Sequence, residues 1–170
     1  TVSDLNGDTI SSLWDALLFP TAYPTLTAPN NSCSSNAGSL QEIGANINII
    51  FTASFSRGSI SPQYSAASPY RSGLPNTYTY TGNGIAGSVS TTSLTDASTL
   101  TGYIVIAGSQ SWTNTVSYDV GVQPYDSKGN PYNSPLAAGT TTAKSVSLEG
   151  VYPLFGTTVN ISTLTKQTLV

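Results

Sequence analysis

Hydrophobic positions along the chain follow two different periods, and the change from one to the other divides it. From residue 10 the apolar residues Ile10, Leu13, Trp14, Leu17 and Leu18 fall at i, i+3, i+4, i+7 and i+8. That spacing puts them on one stripe of a 3.6-residue helix. Asp8 or Thr9 stands where a side-chain oxygen would cap the first turn, and Pro20 closes the helix after Phe19. A helix of about ten residues is marginal alone, so the stripe must pack against the rest of the chain or against a neighbouring subunit.

Beyond residue 22 the period becomes two. Tyr23–Pro29 reads as an extended edge strand with prolines near its ends, and the polar run Asn30–Ser39 as a loop. The clearest strand is the next one. Ile47, Ile49, Phe51, Ala53 and Phe55 alternate with Asn48, Ile50, Thr52 and Ser54, which predicts one buried face.

A second strand is expected over Ser59–Gln63 after the Arg57-Gly58 turn. Tyr64–Pro75, dense in Ser, Pro, Gly and Ala, reads as a long surface loop. Loops of that length usually have a task or are disordered. Tyr78-Thr79-Tyr80 resumes the alternation and stops at the turn signal Gly82-Asn83-Gly84, after which the chain reads as strand again.

Tyr103–Ile106 is a short apolar strand. Trp112, Asn114, Val116, Tyr118 and Val120 share one face of the next. Asp126–Asn130 makes a tight turn with positive φ expected at Gly129; Ala143–Leu148 is a further strand, and Gly150–Gly156 leaves the domain. About seven short strands separated by turn signals predict an antiparallel β-sandwich.

Composition strengthens that reading. Ser and Thr account for 50 of the 170 residues while charged residues make up 8%. Hydroxyls compete with a helical backbone, whereas Thr, Tyr, Val and Ile suit a pleated, half-buried surface. At 170 residues one main core is expected. The net charge of −3, with cations only at Arg57, Arg71, Lys128, Lys144 and Lys166, leaves little to neutralise a run of phosphates. Nucleic acid and anionic membrane are therefore poor partners. No apolar run approaches the roughly 18 residues of a membrane-spanning helix, so no membrane insertion is expected. The absence of Met, including at position 1, is expected of a piece trimmed from a longer product.

The chemistry in the sequence is sparse. With no histidine, the commonest general base and metal ligand are missing, and no serine or cysteine has an imidazole to activate it. Cys33 has no second cysteine to pair with and no nearby cation to lower its pKa. The carboxylates Asp4, Asp8, Asp15, Glu42, Asp96, Asp119, Asp126 and Glu149 show no spacing diagnostic of a glycosidase pair. Asp126-Ser127 with Asn130 offers oxygen ligands for calcium, but a type I turn explains those residues equally well. We expect no catalytic residues, no metal site and no cofactor. Exposed aromatics could contact a partner, and Tyr64 and Tyr70, with Arg71, are the candidates in the long loop. Lys144 or Lys166 could in principle form an isopeptide bond with an Asn or Asp.

Several segments together resemble one family. They are Leu5–Pro20 (LNGDTISSLWDALLFP), Tyr23-Pro-Thr25, Glu42-Ile-Gly44, Phe51–Ile60 (FTASFSRGSI) and Trp112–Tyr118 (WTNTVSY). Asp126-Ser-Lys-Gly129, Ala137-Ala-Gly-Thr140 and Gly150–Gly156 (GVYPLFG) complete the order. In this order they are similar to repeated modules of tailed-bacteriophage virion proteins. Ser12 departs from the pattern, since the family's helix often carries Glu there in a capping box.

The resemblance implies an immunoglobulin-like or fibronectin-III-like domain in a tail, fibre, baseplate or collar component, without catalytic residues. The expected organisation is an N-terminal helix and connector over 1–22, a sandwich over 23–156 and an extension or linker over 157–170. The expected role is structural, in an extracellular virus particle, with copies of the same chain and other virion proteins as partners. Leu13, Trp14, Leu17, Leu18, Phe19, Leu154 and Phe155 are the candidate assembly residues, being apolar with no assured burial. The alternative is an adhesin domain on a phage fibre or bacterial cell surface, using the 64–75 loop to bind a host-surface glycan or receptor.

Overall fold

The alternation read over residues 47–55 becomes the central strand of one sheet. In the computed structural model, which describes residues 10–153, strand β4 (Asn46–Ser56) buries Ile49, Phe51, Ala53 and Phe55 and exposes the residues between them. Before it come helix α1 (Ile10–Leu18) and strands β1 (Thr25–Leu26), β2 (Asn30–Ser35) and β3 (Leu40–Glu42). After it come β5 (Ile60–Ser61), β6 (Asn76–Gly82), β7 (Ile85–Thr91), β8 (Thr95–Ile104), β9 (Gly108–Tyr118), β10 (Gly139–Thr140) and β11 (Lys144–Val151). The protein is mainly β, with antiparallel and mixed sheets.

Three strands in the order β2-β4-β8 form an antiparallel sheet. A larger sheet runs β3-β11-β9-β6-β7, with β10 beside β9; among the described residues its only parallel pair is β11 with β3. β1 and β5 make a separate two-stranded ladder. Aromatic side chains join the two larger sheets. Phe51 of β4 lies 5.5 Å from Trp112 of β9 and 6.4 Å from Tyr80 of β6, ring centre to ring centre. Phe55 stacks on Tyr118 at 6.1 Å, and Tyr103 meets Trp112 edge-on at 5.4 Å. The buried Trp112 also donates its indole N–H to the Asn83 carbonyl at 2.9 Å, which ties the β6–β7 turn to the core.

Several boundaries differ from those expected. Asn30–Ser35 is a strand and not a loop, because β4 supplies every ladder partner from Asn30↔Ser56 to Ser35↔Phe51. The strand expected near Tyr103 begins earlier, at Thr95, and stops at Ile104. The extended Tyr23–Pro29 segment pairs only at Thr25 and Leu26, and its partner β5 is equally short. β9 ends at Tyr118, which leaves Val120 exposed.

Gly150 belongs to β11 and does not lead out of it. A Cβ there would fall 1.9 Å from the Ile106 carbonyl oxygen, so glycine permits the close approach of β11 to the chain leaving β8.

Candidate functional site

Helix α1 forms where expected, and Phe19 N–H donates to the Asp15 carbonyl at 2.9 Å before Pro20 ends it. Its apolar stripe is not covered. Leu13 is half-buried, but Trp14 is 55%, Leu18 61%, Phe19 67% and Leu17 73% exposed. Among the described residues α1 makes no extensive contact with any strand. Among the described residues, the strands leave most of the stripe uncovered. Leu154 and Phe155, expected to share the surface, lie outside the described residues.

The connector after the helix is fixed in place. Ala22 N–H donates to Ser127 Oγ at 2.8 Å, and Ser127 N–H donates to the Ala22 carbonyl at 2.9 Å. The Tyr23 ring lies 4.8 Å from that of Tyr132, tilted by 34°.

Ser127 is positioned by the turn that Asp126 organises. Asp126 Oδ1 accepts the N–H groups of Lys128 at 2.9 Å and Asn130 at 2.8 Å, while Oδ2 accepts Asn130 Nδ2 at 3.2 Å. Gly129 takes φ = 81°, the left-handed conformation expected of it. Desolvation pushes the Asp126 pKa up, but the donors from Asn130, Lys128 and Gly129 outweigh it and hold the carboxyl below its ordinary value. These amide donors already engage both carboxylate oxygens, which supports the turn reading of Asp126 over a calcium loop. No cluster of three or more His, Cys, Asp or Glu suited to a metal occurs among the described residues.

The 64–75 loop is folded back on itself. Ser59 and Tyr70 form an antiparallel bridge, Ile60 N–H donates to the Pro69 carbonyl at 2.8 Å, and Ser72 N–H donates to the Arg57 carbonyl at 3.0 Å. Arg57 clamps it: Nε and Nη2 reach the Ser72 carbonyl at 3.1 and 2.6 Å, and the guanidinium lies 4.5 Å over the Tyr70 ring. Tyr70 is exposed and Tyr64 half-buried, while Arg71 turns aside to donate to the Ser134 carbonyl at 3.1 Å. The clamp by Arg57 was not legible, since nothing in the local pattern distinguishes it from an ordinary turn cation.

The ionisable groups near the core are arranged for burial more than for reactivity. Burial pushes the Cys33 thiol up, away from the nucleophilic thiolate. Burial likewise raises the Tyr80 phenol, and the Asp96 carboxylate adds to the shift. An open cleft lined by Pro75, Thr77, Ser117, Tyr118, Asp119 and Ala138 contains one carboxylate, whose Oδ1 accepts the Val120 N–H at 2.7 Å. No protein-family model matches the chain, and a comparison with curated proteins found no match.

Proposed function

We propose that this chain is a non-enzymatic assembly module of a virus particle, an immunoglobulin-like β-sandwich in a tail, fibre, baseplate or collar component of a tailed phage. In this reading α1 is the joint through which the module engages other copies or other virion proteins. The observation that carries it is the apolar stripe of Trp14, Leu17 and Leu18, with Phe19 just past the helix end, all exposed on an element whose connector is clamped at Ala22 and Tyr23. A fixed base with an uncovered apolar stripe is the arrangement of a docking element. The family resemblance of the segments from Leu5 to Gly156 supplies the setting.

The rival reading, a glycan- or receptor-binding adhesin, has less support. Its best exposed aromatic, Tyr70, is already engaged by Arg57, and Arg71 is tied to Ser134. The test is incorporation into particles of a chain carrying Trp14→Ala and Leu17→Ala. The isolated variant is expected to keep its far-UV circular dichroism, because both side chains are exposed, and to be lost from purified particles. Incorporation at the wild-type level would overturn the assignment.

A further inference from the structure

β7 ends the larger sheet, and among the described residues no strand lies beyond it. Ladder parity decides which of its backbone groups point outwards. Val116 N–H donates to Thr141 Oγ1 at 3.0 Å, and its carbonyl accepts Thr141 N–H at 2.9 Å, so Val116 turns its backbone away from β6. Successive residues of an antiparallel pair alternate in direction. Thr115 and Ser117 therefore bond to Thr79 and Thr77, and Tyr80 and Tyr78 bond to Gly87 and Val89. That leaves the N–H and C=O groups of Ala86, Ser88 and Ser90 directed at the open side.

Other strand edges carry features that hinder pairing. β3 has three residues. β8 turns Asp96 inward, in register with the buried Ala53, and its pairing is interrupted between Ile47 and Ile49. β2 packs over β9 and β11. β7, with the sequence IAGSVST, has no charge, no proline and an unbroken register.

We propose that β7 pairs with β7 of a second copy, antiparallel about a two-fold axis through Ser88. This register sets Ala86 against Ser90 and Ser88 against Ser88, so that all three outward residues exchange hydrogen bonds with their counterparts. It also sets Gly87 against Val89 of the second copy. No atom lies within 4 Å of where a Cβ on Gly87 would be, so there is room for that valine. Val89 shares the inner face with its ladder partner Tyr78, yet it is 47% exposed while Tyr78 is wholly buried. The smaller sheet thus covers β7 at Ile85 but leaves it open at Gly87 and Val89, with space there for the second copy's inner face. Identical neutral strands also meet without repulsion. This interface is separate from α1 and does not depend on the virion reading.

The test uses the full chain carrying Trp14→Ala, Leu17→Ala, Leu18→Ala and Phe19→Ala, which removes the exposed apolar side chains of the helix and its end, with Cys33→Ser in the cysteine variants. Ser88→Cys is expected to give a disulfide dimer on mild oxidation, since the two Cα atoms would lie about 5.5 Å apart. Ser90→Cys is expected to stay unlinked, its own copy being four strand residues away, about 13 Å. Sedimentation of the chain with native β7 should show a dimer as concentration rises to the millimolar range. Ser88→Lys should remain monomeric with unchanged circular dichroism. Equal cross-linking of the two cysteine variants, dimerisation of Ser88→Lys, or a monomer throughout that range would each overturn the proposal.

Discussion

The side-chain amide of Asn31 donates to both the backbone carbonyl and the Oδ1 of Asn114, at 3.2 and 3.0 Å, joining β2 of the smaller sheet to β9 of the larger one. Both residues are buried, and Asn114 Nδ2 continues the chain of contacts to the Thr79 carbonyl at 3.4 Å. Removing one partner of a buried hydrogen bond leaves the other without its bond and still out of water. Asn31→Ala and Asn114→Ala should therefore each cost about 1–3 kcal/mol in urea denaturation. The double variant should lose less than their sum, by roughly 0.5–3 kcal/mol of coupling. Strictly additive losses would show that the two amides do not act as a pair.

Arg57 exerts its effect on a loop. Its bonds to the Ser72 carbonyl and its position over Tyr70 close residues 58–72 against the body of the domain, on a side chain that is itself only half-buried. A hydrogen bond from a charged group is worth about 1.5–3 kcal/mol, so Arg57→Ala should raise amide exchange in this segment roughly ten- to a hundred-fold. Exchange in β4 and β9 should be almost unaffected. Hydrogen-exchange mass spectrometry distinguishes this from general destabilisation, and uniform acceleration would refute the local clamp.

The parts of the fold legible in the sequence are those where one strand carries its own apolar period. Ile49, Phe51 and Phe55 in β4, and Trp112 and Val116 in β9, announce a buried face without knowledge of their neighbours. β2 does not, because its inward positions are Asn31, Cys33 and Ser35, and its strand character comes from β4 and from the Asn114 bond. β8 presents Asp96, Ser98 and Leu100 to the core side, a single apolar residue among three. The helix stripe was legible from its 3.6-residue period, but its exposure was not: periodicity groups residues on a face without saying what covers it. The open edge of β7 was hidden for a similar reason, since it follows from strand order and ladder parity, which are tertiary properties.

Acid should loosen the joint at the base of α1 through Asp126. The folded-state pKa of this carboxyl lies below its ordinary value of 3.8, because the amide donors of Asn130, Lys128 and Gly129 favour the charged form more than desolvation disfavours it. A group depressed on folding contributes stability that is present above its unfolded pKa and lost as pH falls through the folded one. The turn should therefore hold at neutral pH and begin to weaken as pH drops below about 4. Ser127 lies in that turn and carries both hydrogen bonds to Ala22, so the connector should be released with it. Amide chemical shifts of Lys128, Asn130 and Ala22 followed by NMR should titrate together, with a midpoint below 3.8. In Asp126→Asn this shared titration should vanish. A midpoint at or above 3.8, or an Ala22 amide that ignores the transition, would separate the carboxylate from the joint.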